Sequence, residues 1–352
     1  MSILKPGTPA TAAFTVLFAC MLAAASQTAG QSIPIGIIDF YGLNRVSAAS
    51  ARAALTFKEG DPASLGGDGR PAFLTASEAR LATVPGVSRA RISLVCCDGG
   101  RAIAYVGIEE RGAATVSFRA APEGDARLAA DVVLAGEELS KASRLAIERG
   151  DAAEDRSQGH ALNHDAAMRA VQDRFIRYAQ RDLPQLRRVL RSSSNVAERA
   201  LAAQVLGYAA DKPAVVDDLV HGMSDPAEEV RNNAMRALMV MAEMTAGGKG
   251  APRIPAAPFV ALLSSPIWTD RNKASGALAA LTASRDPRFL EAVRQPEAVA
   301  ALAEIARWKS EGHAQPAFFT LARVAGYPDE TAYNLWQRGE REVVIAAALK
   351  RR

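Results

Sequence analysis

A chain of 352 residues that is 49% hydrophobic and 23% charged has the apolar content of a folded protein with room for two or three domains, which excludes general disorder. Its formal net charge of +4 comes from 42 Lys and Arg interspersed with 38 Asp and Glu, so no basic block marks a nucleic-acid binder. Three cysteines are too few for a disulfide framework.

The first thirty residues differ from the rest. Lys5 precedes the apolar run from Ala12 to Ala25, and the polar SQTAGQS follows. This is the order of a secretory signal peptide; the small residues Ala23 and Ala25 set cleavage after Ala25, or as late as Gly30. The run is shorter than the ~20 apolar residues of a spanning helix, and the mature chain is expected to have no membrane span. Two alternatives attach to the same segment: an N-terminal anchor left uncleaved, and lipidation at Cys20. Against lipidation stand the bulky Phe18 and the apolar residues that continue past the cysteine. Cleavage leaves Cys96 and Cys97, adjacent in SLVCCDGG. Neighbours on an extended strand point to opposite faces, so this pair is expected to stay unbridged.

Behind the signal, IPIGIIDFYG reads as a strand and VSAASARAALTF as a helix capped by Ser47, with Ala51, Ala54 and Leu55 on its inner face. A Gly- and Pro-rich connection, KEGDPASLGGDGRPAF, leads to a second helix beginning near Thr75. The LGGDGR within it, Leu65 to Arg70, has no Lys-Ser or Lys-Thr at its end, so it reads as a loop and not a phosphate cradle. Two strands then flank the turn at Asp98 to Gly100. In the first, Ile92, Leu94 and Cys96 alternate with Arg91, Ser93 and Val95; in the second, Ala104, Val106 and Ile108 mark one face. The order over residues 33–111 is β-α-α-β-β, a small α+β unit.

The phrases FYGLNRVSAASARAAL, KEGDPAS, LATVPGVSRARISL and YVGIEER, in that order, resemble the POTRA family, the polypeptide-transport-associated domain of bacterial envelope proteins. The resemblance implies a small mixed sheet backed by two helices, which takes a client strand at an exposed edge. On this chain that edge is Arg91, Ile92, Ser93, Leu94 and Val95. The family's usual tandem copies and following β-barrel are not found in this sequence.

Residues 112–181 carry one extended patch, ATVSF, and two amphipathic helices, ARLAADVVLAGEELSKASRLAIERG and DAAMRAVQDRFIRYAQ. Between the helices lies the densest polar cluster of the chain, GDAAEDRSQGHALNHD. His160 and His164 would share one face of a helix, which is how a zinc site begins. The protease glutamate is absent and no third ligand beyond generic acids is indicated, so neither a metal nor a cofactor is expected.

From 182 to 352 the strand signals nearly vanish. Arg199, Ala202 and Leu206 align with Arg231, Ala234 and Leu238 and with Arg271, Ala274 and Leu278, at offsets of 32 and 40 residues. Each copy follows a shorter apolar helix, and paired helices at such periods indicate an α-solenoid. Glu228 and Glu229 open one repeat helix, where carboxylates favour the positive end of the helix dipole. Trp268, Trp308 and Trp336 read as packing residues. DPAEEVRNNAMRAL, with its Asp-Pro turn and Val-Arg opening, resembles the HEAT-repeat family. That resemblance implies structural hydrogen-bonding roles for Asp225 and Arg231.

The expected whole is multidomain: a POTRA-like α+β unit followed by an all-α HEAT-like solenoid, exported to the periplasm. Its expected role is that of a non-enzymatic scaffold for protein partners, with no nucleic acid bound. The partner surfaces would be the edge at Arg91 to Val95 and a solenoid groove marked by Asn232. Alternatives are a membrane-anchored cell-division or envelope-assembly factor, and a HEAT-like lyase or metal-dependent enzyme built at His160 and His164.

Overall fold

A computed structural model describes residues 32–64, 70–113, 115–151, 153–245 and 252–351. The expected signal segment, with Cys20 and Ala25, and the glycine-rich positions 65–69 lie outside those residues.

The N-terminal unit runs β1 (Ser32–Tyr41), α1 (Ala48–Ala53), β2 (Pro62–Ser64), α2 (Ala72–Leu81), β3 (Val87–Asp98) and β4 (Arg101–Glu110). Ser47 caps α1 by accepting from the Ser50 amide at 3.0 Å. The short β2 was read in the sequence as connection only. Its three residues pair antiparallel with Ser32, Ile33 and Pro34, too short a stretch to show alternation. Helix α2 starts at Ala72, three residues before the expected Thr75, because Pro71 supplies its N-terminal boundary with a φ that the ring fixes. In the sheet the order is β2-β1-β4-β3, with β1 and β4 parallel and β3 and β4 an antiparallel hairpin.

One sheet face buries Ile35, Ile38, Ile92, Ala104 and Val106 against Leu55, Leu74 and Leu81 from the helical side. The opposite face carries Tyr41, Ile103 and Tyr105, which join the core of the helical region instead. Both faces of β4 are therefore covered.

Cys96 and Cys97 are joined by a disulfide, which corrects the sequence expectation. That expectation took the strand as regular throughout. Here the Cys96–Cys97 peptide is cis and the two Cα atoms lie 3.1 Å apart, which lets neighbouring sulfurs meet.

Beyond the sheet, residues 115–128 run extended without joining a strand ladder. Of the expected strand at ATVSF, the described residues 115–118 form no ladder, and Val116 and Phe118 pack against the helical core. Then come α3 (Ala130–Glu148), a hairpin of β5 (Glu154–Asp155) and β6 (Leu162–Asn163), and α4 (Ala166–Arg181), whose first amides are capped by Asp165. The remaining helices stack as pairs: α5 (Leu183–Ser192) with α6 (Val196–Leu206), α7 (Val216–Gly222) with α8 (Glu228–Thr245), and α9 (Ala257–Leu262) with α10 (Trp268–Thr282). After α11 (Pro287–Val293) follow α12 (Pro296–Ala306) with α13 (Glu311–Val324), and α14 (Asp329–Gln337) with α15 (Arg341–Lys350). Ala202, Leu206, Ala234, Leu238, Ala274 and Leu278 are all fully buried. The four-residue step from alanine to leucine puts both on one helix face, where the alanine lets one helix approach its neighbour closely while the leucine fills the gap.

Candidate interaction surfaces

Three arginines tie the helix pairs together. The Arg199 guanidinium donates to both carboxylate oxygens of Asp225 at 2.9 and 3.0 Å, and to the Ser193 carbonyl at 2.8 Å. Arg231 repeats this one pair later, on Asp270 at 2.9 Å twice and on the Asp225 carbonyl at 2.8 Å. Arg271 donates to Glu304 at 2.6 Å and to the Ser265 carbonyl at 2.7 Å. Each arginine thus closes the turn before its own helix and grips an acid of the next pair. Arg199, Arg231, Asp225 and Asp270 are essentially without solvent contact, where unpaired charge would be costly and the fork geometry of Arg meets a carboxylate bidentately. The last acid reaches further: Glu304 also accepts from the Gly42 amide at 2.6 Å, which fastens the exit of β1 to α12.

The sheet is docked on this stack through aromatic rings. Tyr105 stacks on Trp268 at 5.3 Å and 17° and packs against Trp308 at 4.8 Å. Its hydroxyl meets His313 Nδ1 at 2.8 Å. Burial, then the nearby Lys273 charge, lowers the His313 pKa, and burial raises that of Tyr105. Both shifts favour the uncharged forms, and the imidazole tautomer decides which of the two groups donates. Tyr41 donates to the Pro266 carbonyl at 2.9 Å, and Lys309 holds Asp39 and the Ile38 carbonyl through its amide and its ammonium. A β-carbon at Gly107 would lie 2.0 Å from the Pro266 carbonyl, so only glycine allows β4 this close. Trp268 and Trp308 are packing residues between sheet and stack; Trp336 packs on Phe318 within the stack.

Strand β3 lies at the sheet edge, and Arg91, Ile92, Ser93, Leu94 and Val95 form its middle. The Ile92 amide donates to Glu78 at 2.6 Å, and the Ile92 carbonyl accepts from Arg70 at 2.6 Å. Arg70 and Glu78 are themselves ion-paired, so a side-chain clasp occupies the backbone groups of Ile92, at the middle of the edge that an added strand would pair with. On the other parity, Val95 packs against the helical core. Arg91 stands near enough to α8 to lower the carboxyl of Glu228, whose pKa burial raises overall. Asn232, one turn beyond Glu228, is half-buried and donates to Asn233 at 3.3 Å. Edge and groove were expected as separate surfaces; through Arg91 and Val95 the edge strand itself approaches the helical stack.

The HALNH segment forms β6 and its approach, not a helix, so His160 and His164 do not share a helical face. His160 Nδ1 lies 3.1 Å from Lys212 Nζ. Burial and then the Lys212 charge lower the His160 pKa to about 4, leaving it a neutral acceptor. His164 is exposed.

Against known proteins, the matching part of the chain is its ladder region. Residues 183–278 match the family model of HEAT repeats. No curated protein sequence matches the chain. Among solved structures it is similar to a computationally designed armadillo repeat protein for modular peptide recognition, at 19% identity and a TM-score of 0.35 over 53% of this chain and 93% of that one. A second designed armadillo repeat protein gives 17% identity and 0.35 over 56% and 97%. A third, in complex with the peptide (KR)4, gives 18% and 0.34 over 53% and 94%.

The HEAT-matching pairs, α5 to α10, also hold the extended segment that sequence reasoning left without a role. The Arg119 amide donates to the Ser224 carbonyl at 2.9 Å, while its guanidinium pairs with Asp225. The Phe118 ring lies 3.9 Å from the Arg231 guanidinium carbon. Further along, Ser194 donates to the Gly124 carbonyl at 2.7 Å, and the Leu128 amide donates to Glu198 at 2.6 Å. The chain thus runs from the second pair back to the first along the turns that precede α8 and α6.

Proposed function

We propose that the protein is a non-enzymatic interaction scaffold of the bacterial envelope, exported by its N-terminal segment, in which a POTRA-like sheet unit and a HEAT-repeat stack present one combined surface to protein partners. The observation that carries this reading is the extended segment 115–128, held across two HEAT-matching pairs by backbone and side-chain hydrogen bonds. A repeat stack that binds extended chain in cis has the chemistry to bind it in trans. Strand addition at β3 fits the reading only as a gated event, in which a partner displaces Arg70 and Glu78 from Ile92.

The test places a photo-crosslinking amino acid at Ser93 on β3 and at Ser140, an exposed residue of α3, in the native host, with mass spectrometry of adducts. Discrete protein adducts at either position are expected, on a mature chain whose N-terminal sequencing reads Ser26. Folded protein without adducts at both positions would sink the scaffold reading, and a chain retaining Met1 would replace export by cleavage with an anchored form.

A further inference from the structure

Cys96 and Cys97 stand at the far end of the edge strand β3. Both are exposed and bonded to each other. The turn beside them is open to solvent: a β-carbon at Gly99 or Gly100 would meet nothing within 4 Å. Among the described residues there is no further cysteine. The bond does not staple the fold. A cross-link stabilises by closing a loop of chain, the more so the longer the loop, and here the bonded residues are neighbours in sequence. Nor does the pair serve as core, since exposed side chains contribute little burial.

What the bond does constrain is the register of the hairpin. Val95 stands opposite Ile103, and Asp98 opposite Arg101. Cys96 and Cys97 together therefore face the single Ala102, which makes the site a β-bulge. A bond between the two bulged residues keeps their side chains together and pins the bulge in place. The rung just before it concerns the rest of the molecule, because Ile103 is fully buried in the helical core and Val95 packs on that core. The bulge thus ends the stretch of β3 that rests on the stack.

We propose that Cys96–Cys97 is a thiol–disulfide exchange site, opened by a dithiol reductant and reclosed by a disulfide oxidant, whose state sets how firmly the end of β3 is held on the stack. In the opening step a reductant thiolate attacks one sulfur, the Cys96–Cys97 bond breaks, and the leaving sulfur takes a proton. The second reductant thiol then displaces the attacked cysteine as a thiol, and the reductant departs as a disulfide. Two electrons and two protons have then passed to the pair. Exposed disulfides are the ones that such exchange reaches. Once the bond is open, the extra residue is free to pass from the bulge into the turn, and the Val95–Ile103 rung becomes the fraying end of the hairpin. The proposal is independent of the scaffold reading, since exchange requires no captured partner.

The experiment takes the protein purified without reductant and holds it in buffers of oxidised and reduced dithiothreitol, with maleimide trapping and peptide mass mapping of Cys96 and Cys97. The pair is expected to be closed as purified, to open as two thiols together while far-UV circular dichroism stays native, and to close again on reoxidation. Amide hydrogen exchange at Val95 and Ile103 should rise at least about tenfold on opening, with α8 unchanged. The double variant Cys96→Ser with Cys97→Ser, altered at two exposed positions, should exchange like the reduced protein in either buffer. Maleimide on both cysteines of the unreduced native protein would overturn the proposal, as would a bond that opens only after denaturation. Opening without faster exchange at Val95 and Ile103, or a double variant that exchanges like the oxidised protein, overturns the hold on the stack.

Discussion

At the scale of single residues, Glu110 shows why a loose phrase in the sequence has a physical reason. Its carboxylate accepts from the backbone amides of Asn44, Arg45 and Val46 at 2.8 to 2.9 Å, which fixes the loop between β1 and α1. The FYGLNR and EER phrases are the two halves of this contact. Burial pushes the Glu110 carboxyl up, but the amides and Arg45 outweigh it and bring its pKa to about 2. A folded-state pKa below the unfolded value contributes stability that is present above pH 4.5 and lost as pH falls through 2. Glu110→Gln is therefore expected to cost about 1.5–3 kcal/mol at pH 7, the range for hydrogen bonds to a charged group. Urea titrations of both proteins at pH 7, 5 and 3 check this: the gap should narrow between pH 5 and 3, and a gap constant over that interval would count against the assignment.

Between elements, the arginine ladder sets how one helix pair is registered on the next. Arg231→Met leaves Asp270 buried with, among the described residues, Ser265 as its remaining side-chain partner at 2.7 Å. Breaking a buried pair from one side typically costs about 3–5 kcal/mol, and the denaturant midpoint should fall accordingly. Replacing both members, Arg231→Met with Asp270→Leu, should recover much of the loss, because no charge is then left unpaired. A double variant as unstable as the single one would mean that the ladder acts through packing alone. This level was well exposed in the sequence, since Arg199, Arg231 and Arg271 recur in phase with the buried alanines and leucines. The acid partners were harder to read: Asp225 sits in an Asp-Pro turn, but its counterparts are Asp270, inside the first turn of α10, and Glu304, at the far end of α12. Strands β1, β3 and β4 and the hairpin turn were legible from alternation and turn residues, whereas the three-residue β2 and the parallel pairing of β1 with β4 left no local signal. The sheet's second buried face was not read either, although Ile103 and Tyr105 beside Ala104 and Val106 make β4 apolar at both parities, the signature of a strand covered on two sides. The hairpin that carries His160 escaped because two-residue strands leave no period to detect.

For the whole molecule, the decisive feature is that sheet and linker span the stack. A repeat array is stabilised by nearest neighbours and can fray pair by pair. Here segment 115–128 bridges the first two pairs, and Pro266, Trp268, Glu304, Lys309 and His313 bind the sheet across the later ones. These long-range ties should make sheet and stack unfold together. Tyr105 is the residue on which that coupling depends, since its ring belongs to the helical core and not to the core under α1 and α2. Tyr105→Ala removes the contacts with Trp268 and Trp308 and the hydrogen bond to His313, and large aromatic truncations cost about 3–5 kcal/mol. The expected result is more specific than a loss of stability: one transition becomes two, with the sheet releasing first. Tryptophan emission should shift to the red in that first step as Trp268 and Trp308 meet water. Hydrogen exchange should rise along β4 and the start of α13 while the Arg199–Asp225 end stays protected. A single sharp transition with unchanged native emission would mean that the sheet is not clamped through Tyr105, and that the stack holds its shape without it.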